Sequence, residues 1–170
     1  MTTFRVIPSS LPEDAFVARF GGIYEHSPWV AEAAWARRGE AGFDTLTGLH
    51  GIMRDIVDAS GEPRQLALIN AHPDLAGKAA AAGTLTDEST TEQASAGLDQ
   101  CTPEELSRFT RYNDAYKARF GFPFIMAVRN SDRHQILAAF AARLENSPQA
   151  EFQEALRQIH RIALWRLEEL

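Results

Sequence analysis

His72 is followed directly by Pro73 and then by Asp74-Leu75-Ala76; about twenty residues later comes Ser89-Thr90-Thr91-Glu92-Gln93. Proline disfavours the α region for the residue before it, so His72 is expected in extended backbone at the end of a helix. A ring held there lies off any helical stripe and is presented rather than packed. Histidine titrates near neutrality and is the usual side chain for moving protons, and a carboxylate such as Asp74 would fix its tautomer. Glu92 and Gln93 add a carboxylate and an amide near a helix N-terminus, where backbone N–H groups attract anions. An imidazole and a carboxylate brought together are the parts of acid–base chemistry. Each has a plainer reading beside it. Most single histidines are structural, and Ser89 with Glu92 three residues on is itself a capping box, with Gly97 as the helix end.

The other reactive side chains form weaker patterns. His50 falls on an apolar helical stripe and reads as a satisfied core residue, while His26, His134 and His160 belong to no constellation in the sequence. There is no H-E-x-x-H and no paired-cysteine spacing, so a metal site is not expected. Gly77-Lys78 lacks the upstream glycine and the following Ser or Thr of a phosphate-binding loop. Cys101 precedes a helix cap, a place that can lower a thiol pKa, but it has no partner signature for nucleophilic work. Arg129 is a candidate for meeting a ligand carboxylate; it reads equally as a solvated arginine before the turn at Asn130-Ser131-Asp132.

The elements that must position these residues are helical nearly throughout. Pro12 to Phe20 reads as a short helix closed by Gly21-Gly22. Trp29 to Arg38 is a second, with Ser27 as N-cap and Pro28 at the first helical position. Leu46, Leu49, His50, Met53, Ile56 and Val57 make a stripe at three-to-four spacing. A shorter helix, roughly Glu62 to Asn70, runs into His72. Thr102, Pro103 and Glu105 form a capping box for a helix whose face is Leu106, Phe109, Tyr116 and Phe120, stopped by Gly121. Another starts near Asp132 and buries Ile136, Leu137, Phe140 and Leu144. Ser147-Pro148 caps the last, with Phe152, Leu156, Ile159, Ala163 and Leu167 as its stripe.

Two segments break the period. Gly83-Thr84-Leu85-Thr86 reads as a loop between the halves of the site. Gly121 to Arg129 is apolar and β-like, with Pro123 extending Phe122, but no second convincing strand accompanies it. Its buried N–H and C=O groups must find partners some other way, and a ligand rich in amides would serve. The expectation is an all-α fold of about seven to nine helices over residues 1–170, one domain, with an extended apolar segment near 122–129.

Composition narrows the partners. The chain has 170 residues, 45% hydrophobic and 24% charged, which are globular values. A net charge of −6 argues against nucleic acid or an anionic membrane as partner, though one local arginine can still receive an anion. One cysteine excludes an intrachain disulfide and suits a reducing compartment. No apolar run approaches the roughly 18–20 residues that span a bilayer. Met1 to Arg5 shows no basic-then-apolar leader, and Leu167 to Leu170 carries no sorting address, so the expected location is cytoplasmic.

Taken in order, three motifs resemble the OHCU decarboxylase family. They are His72-Pro73-Asp74-Leu75-Ala76-Gly77-Lys78, then Leu85-Thr86 with Ser89-x-x-Glu92-Gln93-x-x-Ala96-Gly97-Leu98, then Phe120-Gly121-Phe122-Pro123-Phe124-Ile125. Phe20-Gly21-Gly22-Ile23-Tyr24-Glu25 with Ser27-Pro28-Trp29 resembles that family's N-terminal stretch, so the likeness spans nearly the whole chain. OHCU is 2-oxo-4-hydroxy-4-carboxy-5-ureidoimidazoline, the last unstable intermediate between urate and allantoin. The resemblance implies a cofactor-free decarboxylase on an all-α fold, usually a homodimer, giving (S)-allantoin and CO2. It places His72 as proton donor. Pro73, the run Ser89, Thr90, Thr91, Glu92 and Gln93, and the segment Phe124, Ile125, Met126, Ala127 and Val128 take the substrate-contacting positions. Relatives fused to a hydroxyisourate hydrolase carry a second domain, for which this chain has no room. The rivals are a non-catalytic helical module that binds a small ureide or a partner helix, and an enzyme for another ureido-acid.

Overall fold

The structure is a computed structural model and describes residues 3–170, apart from the side chains of residues 78 and 79. Met1 and Thr2, read above for a leader, and the side chain of Lys78 lie outside the described residues. Among the described residues there are nine α-helices and no strand, as expected of an all-α chain. They are α1 (Glu13–Phe20), α2 (Trp29–Trp35), α3 (Leu46–Ala59), α4 (Glu62–Asn70), α5 (Lys78–Ala82), α6 (Asp87–Ser95), α7 (Pro103–Phe120), α8 (Arg133–Arg143) and α9 (Pro148–Glu168). The chain forms two compact units, residues 1–71 with 160–170, and residues 72–159. None of the described helices is long and apolar enough to cross a membrane.

The first unit is built on aromatic packing. Phe16 and Phe20 of α1 are fully buried, and Phe16 meets Phe20, Trp35 and Phe43 at ring separations of 4.7, 5.3 and 5.4 Å. Phe4 closes the cluster edge-on against Phe20 at 5.5 Å. The expected stripe of α3 is present: Leu46, Leu49, Met53 and Val57 are buried, and Thr45 caps the helix by accepting from the Gly48 amide. One helix start differs from expectation. The Ser27 hydroxyl donates to the Glu25 carbonyl (2.9 Å) instead of capping α2, because its own amide already closes a turn onto Tyr24. Pro28 takes the N-cap place, and α2 ends at Trp35, with single turns carrying the chain past Arg38. Glu25, from the N-terminal motif, is buried and bound by Arg166 at 2.9 Å, whose other nitrogen donates to the Gly22 carbonyl.

His160 proves to belong to a constellation that the sequence hides. Its Nδ1 accepts from the Tyr24 hydroxyl (2.8 Å) and its Nε2 donates to Asp58 (3.0 Å), while His50 Nε2 donates to the His160 carbonyl (2.8 Å). The four members of this network stand at positions 24, 50, 58 and 160, so no local spacing announces it. Burial holds both imidazoles below the ordinary histidine value of 6.5, against the opposing pull of Asp58 on His160 and of the carbonyl on His50.

In the second unit, Phe109, Asn113 and Tyr116 make the buried face of α7, where Leu106 and Phe120 had been expected to complete it. Leu106 shares the Phe109 stripe but stands in the first turn of the helix, where it is 42% exposed. Tyr116 packs on Phe124 and Phe140 (5.4 and 6.1 Å), and Phe124 stacks on Phe140 at 3.8 Å. Inside this aromatic cluster lies a carboxylate. Glu151 is fully buried and accepts from Tyr116 (2.6 Å), Arg143 (2.8 Å) and Asn146 (3.0 Å). Burial, and then the bond to Glu151, push the Tyr116 hydroxyl upward in pKa, so it stays a donor. The capping box at Thr102, the helix start near Asp132, the Ser147 cap and the left-handed Gly121 stop form as the sequence indicates, and Asp132 proves to make a second capping box with Gln135.

Two measurements test this account. Replacing Glu151 by Leu leaves the Arg143 guanidinium buried without its counter-charge, and chemical denaturation is expected to register a loss of about 3–5 kcal/mol. The double variant Arg143→Met/Glu151→Leu is expected to lose less than that single change. In the first unit, an imidazole with a folded pKa below its unfolded value resists protonation only while folded. The stability it contributes is complete above pH 6.5 and is lost as the pH falls towards the folded pKa. The unfolding temperature should therefore drop between about pH 7.5 and about pH 5.5, and the double variant His50→Gln/His160→Gln should flatten that descent. An equally steep descent in the variant would refute the assignment.

Candidate functional site

The loop from His72 to Gly77 is set by residues on two helices. The Gln93 side chain of α6 reaches it with both ends of its amide: Oε1 accepts from the Ala76 amide (3.0 Å) and Nε2 donates to the Asp74 carbonyl (3.3 Å). From α7, Asn113 donates to the Leu75 carbonyl (3.0 Å) and Lys117 binds the Asp74 carboxylate (2.6 Å). Ala76 is thereby held at φ 51, a left-handed conformation that costs a non-glycine residue about 1–2 kcal/mol. Gly77 completes the turn, because a Cβ there would meet the Asp74 Cβ at 2.6 Å. His72 and Pro73, half-buried, stand at the head of this stapled loop.

On α6 the cap differs from the expected one. Thr86 is the N-cap and accepts from the Ser89 amide (3.2 Å), so Ser89 is the third helical residue rather than the cap. Thr86 wins because its own backbone is extended (φ −60, ψ 159), whereas Ser89 is already inside the helix. Glu92 therefore lies in the second turn, with no capping box to complete. Ser89 and Gln93 are buried one turn apart and Glu92 is half-buried between them. Thr90 and Thr91 face outward, and the Thr90 hydroxyl turns back to the Thr86 carbonyl (2.9 Å). The five residues of the run thus divide: Ser89, Glu92 and Gln93 inward, the two threonines outward. The Gln93 bridge brings the helix of Glu92 beside the loop of His72.

The segment after Gly121 has neither helix nor strand partner from 123 to 128, and Phe122 to Ile125, Ala127 and Val128 are buried. Its main-chain groups are answered by side chains. Arg143 donates to the Ile125 carbonyl (2.6 Å) and Gln158 accepts from the Ala127 amide (2.9 Å). Among the described residues, no protein group bonds the N–H or C=O of half-buried Met126. Arg129, also half-buried, opens the turn in which the Ser131 amide binds the Val128 carbonyl (2.9 Å).

Sequence reading missed Asn113, Lys117, Arg143, Glu151 and Gln158. Four of them left one signal, a polar residue that is buried on a helix carrying an apolar stripe. Lys117, on the exposed side, left none. Burial, then the Glu105 carboxylate, push the Cys101 thiol pKa up, opposite to the lowering that a helix start can give. No group of three or more His, Cys, Asp or Glu among the described residues is arranged to hold a metal.

The comparisons agree with one another. The family model for OHCU decarboxylase matches residues 9–168. A 2-oxo-4-hydroxy-4-carboxy-5-ureidoimidazoline decarboxylase of Haloferax volcanii is 43% identical over 159 residues, covering 94% of this chain and 90% of its own. The mouse protein of the same name is 37% identical over 162 residues, covering 95% and 89%. A crystal structure of (S)-allantoin synthase superposes with a TM-score of 0.74 at 38% identity over 94% of this chain; this chain spans 51% of that one. A crystal structure of OHCU decarboxylase in the presence of (S)-allantoin shares the fold, with a TM-score of 0.68 at 22% identity over 93% of this chain and 97% of that one. With its model matched across nearly every residue, the chain belongs to the OHCU decarboxylase family.

Proposed function

We infer that this protein is a carboxy-lyase that converts OHCU to (S)-allantoin and CO2, the closing step of urate degradation. The observation that carries the reading is the Gln93 bridge, which joins the loop of His72 to the helix of Glu92 in a chain of this family. The substrate contains its own electron sink. When the bond from the ring carbon to the carboxylate breaks, the electron pair moves toward the adjacent C=N, whose nitrogen takes up a proton. An enol remains, with its hydroxyl on one carbon of the new C=C and the ureido nitrogen on the other. Its hydroxyl then loses a proton to become the ketone, and the ureido-bearing carbon gains one.

In this reading His72 delivers or removes the proton at the reacting carbon, and Glu92 holds the hydroxyl and orients the intermediate. Ser89, Gln93 and the main chain of 124–128 contact the ureido and lactam groups, so protonation occurs on one face. In the same reading Thr90 and Thr91 contact the substrate from the outer edge of that run, and Arg129 meets its carboxylate. The same reading has the chain act as one domain, as a homodimer in the cytoplasm; sedimentation of the purified protein tests the dimer.

The experiment is to generate OHCU from urate and follow optical rotation. The wild-type protein is expected to yield one allantoin enantiomer, whereas spontaneous decay yields a racemate; a racemic product refutes the reading. His72→Asn should lower the rate by about 10²–10⁴-fold with helical circular dichroism intact. Glu92→Gln should also lose rate at an unchanged melting temperature, because Thr86 rather than Ser89 caps the helix.

A further inference from the structure

We propose that Gln158 and Arg143 are positioning residues for this reaction, fixing the 124–128 segment so that Met126 offers its N–H and C=O together to an amide edge of the substrate. The proposal rests on the functional reading above and adds to it the pair of side chains that makes the segment rigid. In extended backbone, main-chain groups two residues apart point to the same side and those between them to the other, and residues 123–128 carry no helix, no turn and no positive φ. The Ile125 carbonyl and the Ala127 amide are held from one side, by Arg143 at 2.6 Å and Gln158 at 2.9 Å. By that alternation Met126, between them, would direct its N–H and C=O the opposite way, and neither is bonded by a described residue.

Both clamps are themselves held. Gln158 is buried and its Nε2 donates to Glu154 at 2.8 Å. Arg143 is fixed by Glu151 at 2.8 Å, and its guanidinium lies over the Phe124 ring at 4.3 Å. One arginine thus grips both the ring and the carbonyl of consecutive residues. A donor and an acceptor on one residue match a ureide or lactam edge, which carries one N–H beside one C=O. Were either clamp lost, the segment would be free to turn its groups inward, and the two-point contact would go.

Gln158→Leu keeps the volume and removes the acceptor for Ala127. With OHCU generated from urate, KM is expected to rise about tenfold with kcat less affected, and the helical signal to be retained. The exchange variant Glu154→Gln/Gln158→Glu restores an acceptor at 158 with a donor at 154, and should recover most of the KM. A KM for Gln158→Leu equal to wild type, or an exchange variant no better than Gln158→Leu, overturns the proposal. Hydrogen exchange on the wild-type protein decides the case even if Gln158→Leu does not fold. The Ala127 amide should exchange slowly, and the Met126 amide should exchange fast but slow on saturation with (S)-allantoin. A fast Ala127 amide, or a Met126 amide indifferent to (S)-allantoin, overturns the proposal. Absence of OHCU turnover by the wild-type protein sinks the functional reading instead, which keeps the two failures apart.

Discussion

A single side-chain amide, that of Gln93, is engaged by the two main-chain groups that flank Leu75, and the geometry of the site follows from it. A primary amide is suited to this work because it carries a donor and an acceptor a fixed distance apart. With Gln93 buried, its bond to the Ala76 amide is shielded from water, and leaving that amide unpaired would cost about 1–3 kcal/mol. The bridge lets a short loop hold a left-handed alanine and still present His72 at its head. It also makes the placement of Glu92 nearly automatic, since the neighbouring residue on the helix is the one that grips the loop.

The second constraint is the buried Glu151 carboxylate. A charge in an aromatic cluster is tolerated only when its lone pairs are filled, and here α7, α8 and the turn after α8 each supply a donor. Its structural yield is directional. By fixing Arg143, the carboxylate orders a stretch of chain with no ladder of its own, which an apolar core of equal volume would leave to slide. The unit that carries the candidate site therefore has apolar packing for bulk and a few saturated polar contacts for register.

Most of the architecture was legible because its signals are local. The caps at Thr102 and Asp132 and the stop at Gly121 lie within a few residues of the helices they define. The errors came where two local signals competed. Ser89 and Thr86 both fit an N-cap, and only the backbone at 86 is extended. Ser27 and Pro28 compete in the same way at the start of α2. Helix α5 was missed, since a short run of alanines between loops has no apolar face to betray it. Of the site, His72, Glu92 and the 124–128 segment could be named from motifs. Their supports could not: the partners of Gln158, Arg143 and Asn113 lie far along the chain, where spacing carries no information.

The backbone at Ala76 has a further bearing on how this loop can vary. A positive φ there admits glycine freely and asparagine or aspartate at small cost, while a β-branched residue would strain against its own carbonyl. Substitution at 76 is thus governed by torsional geometry rather than by side-chain chemistry. Drift in sequence would be filtered there for a reason that only the dihedral angle discloses.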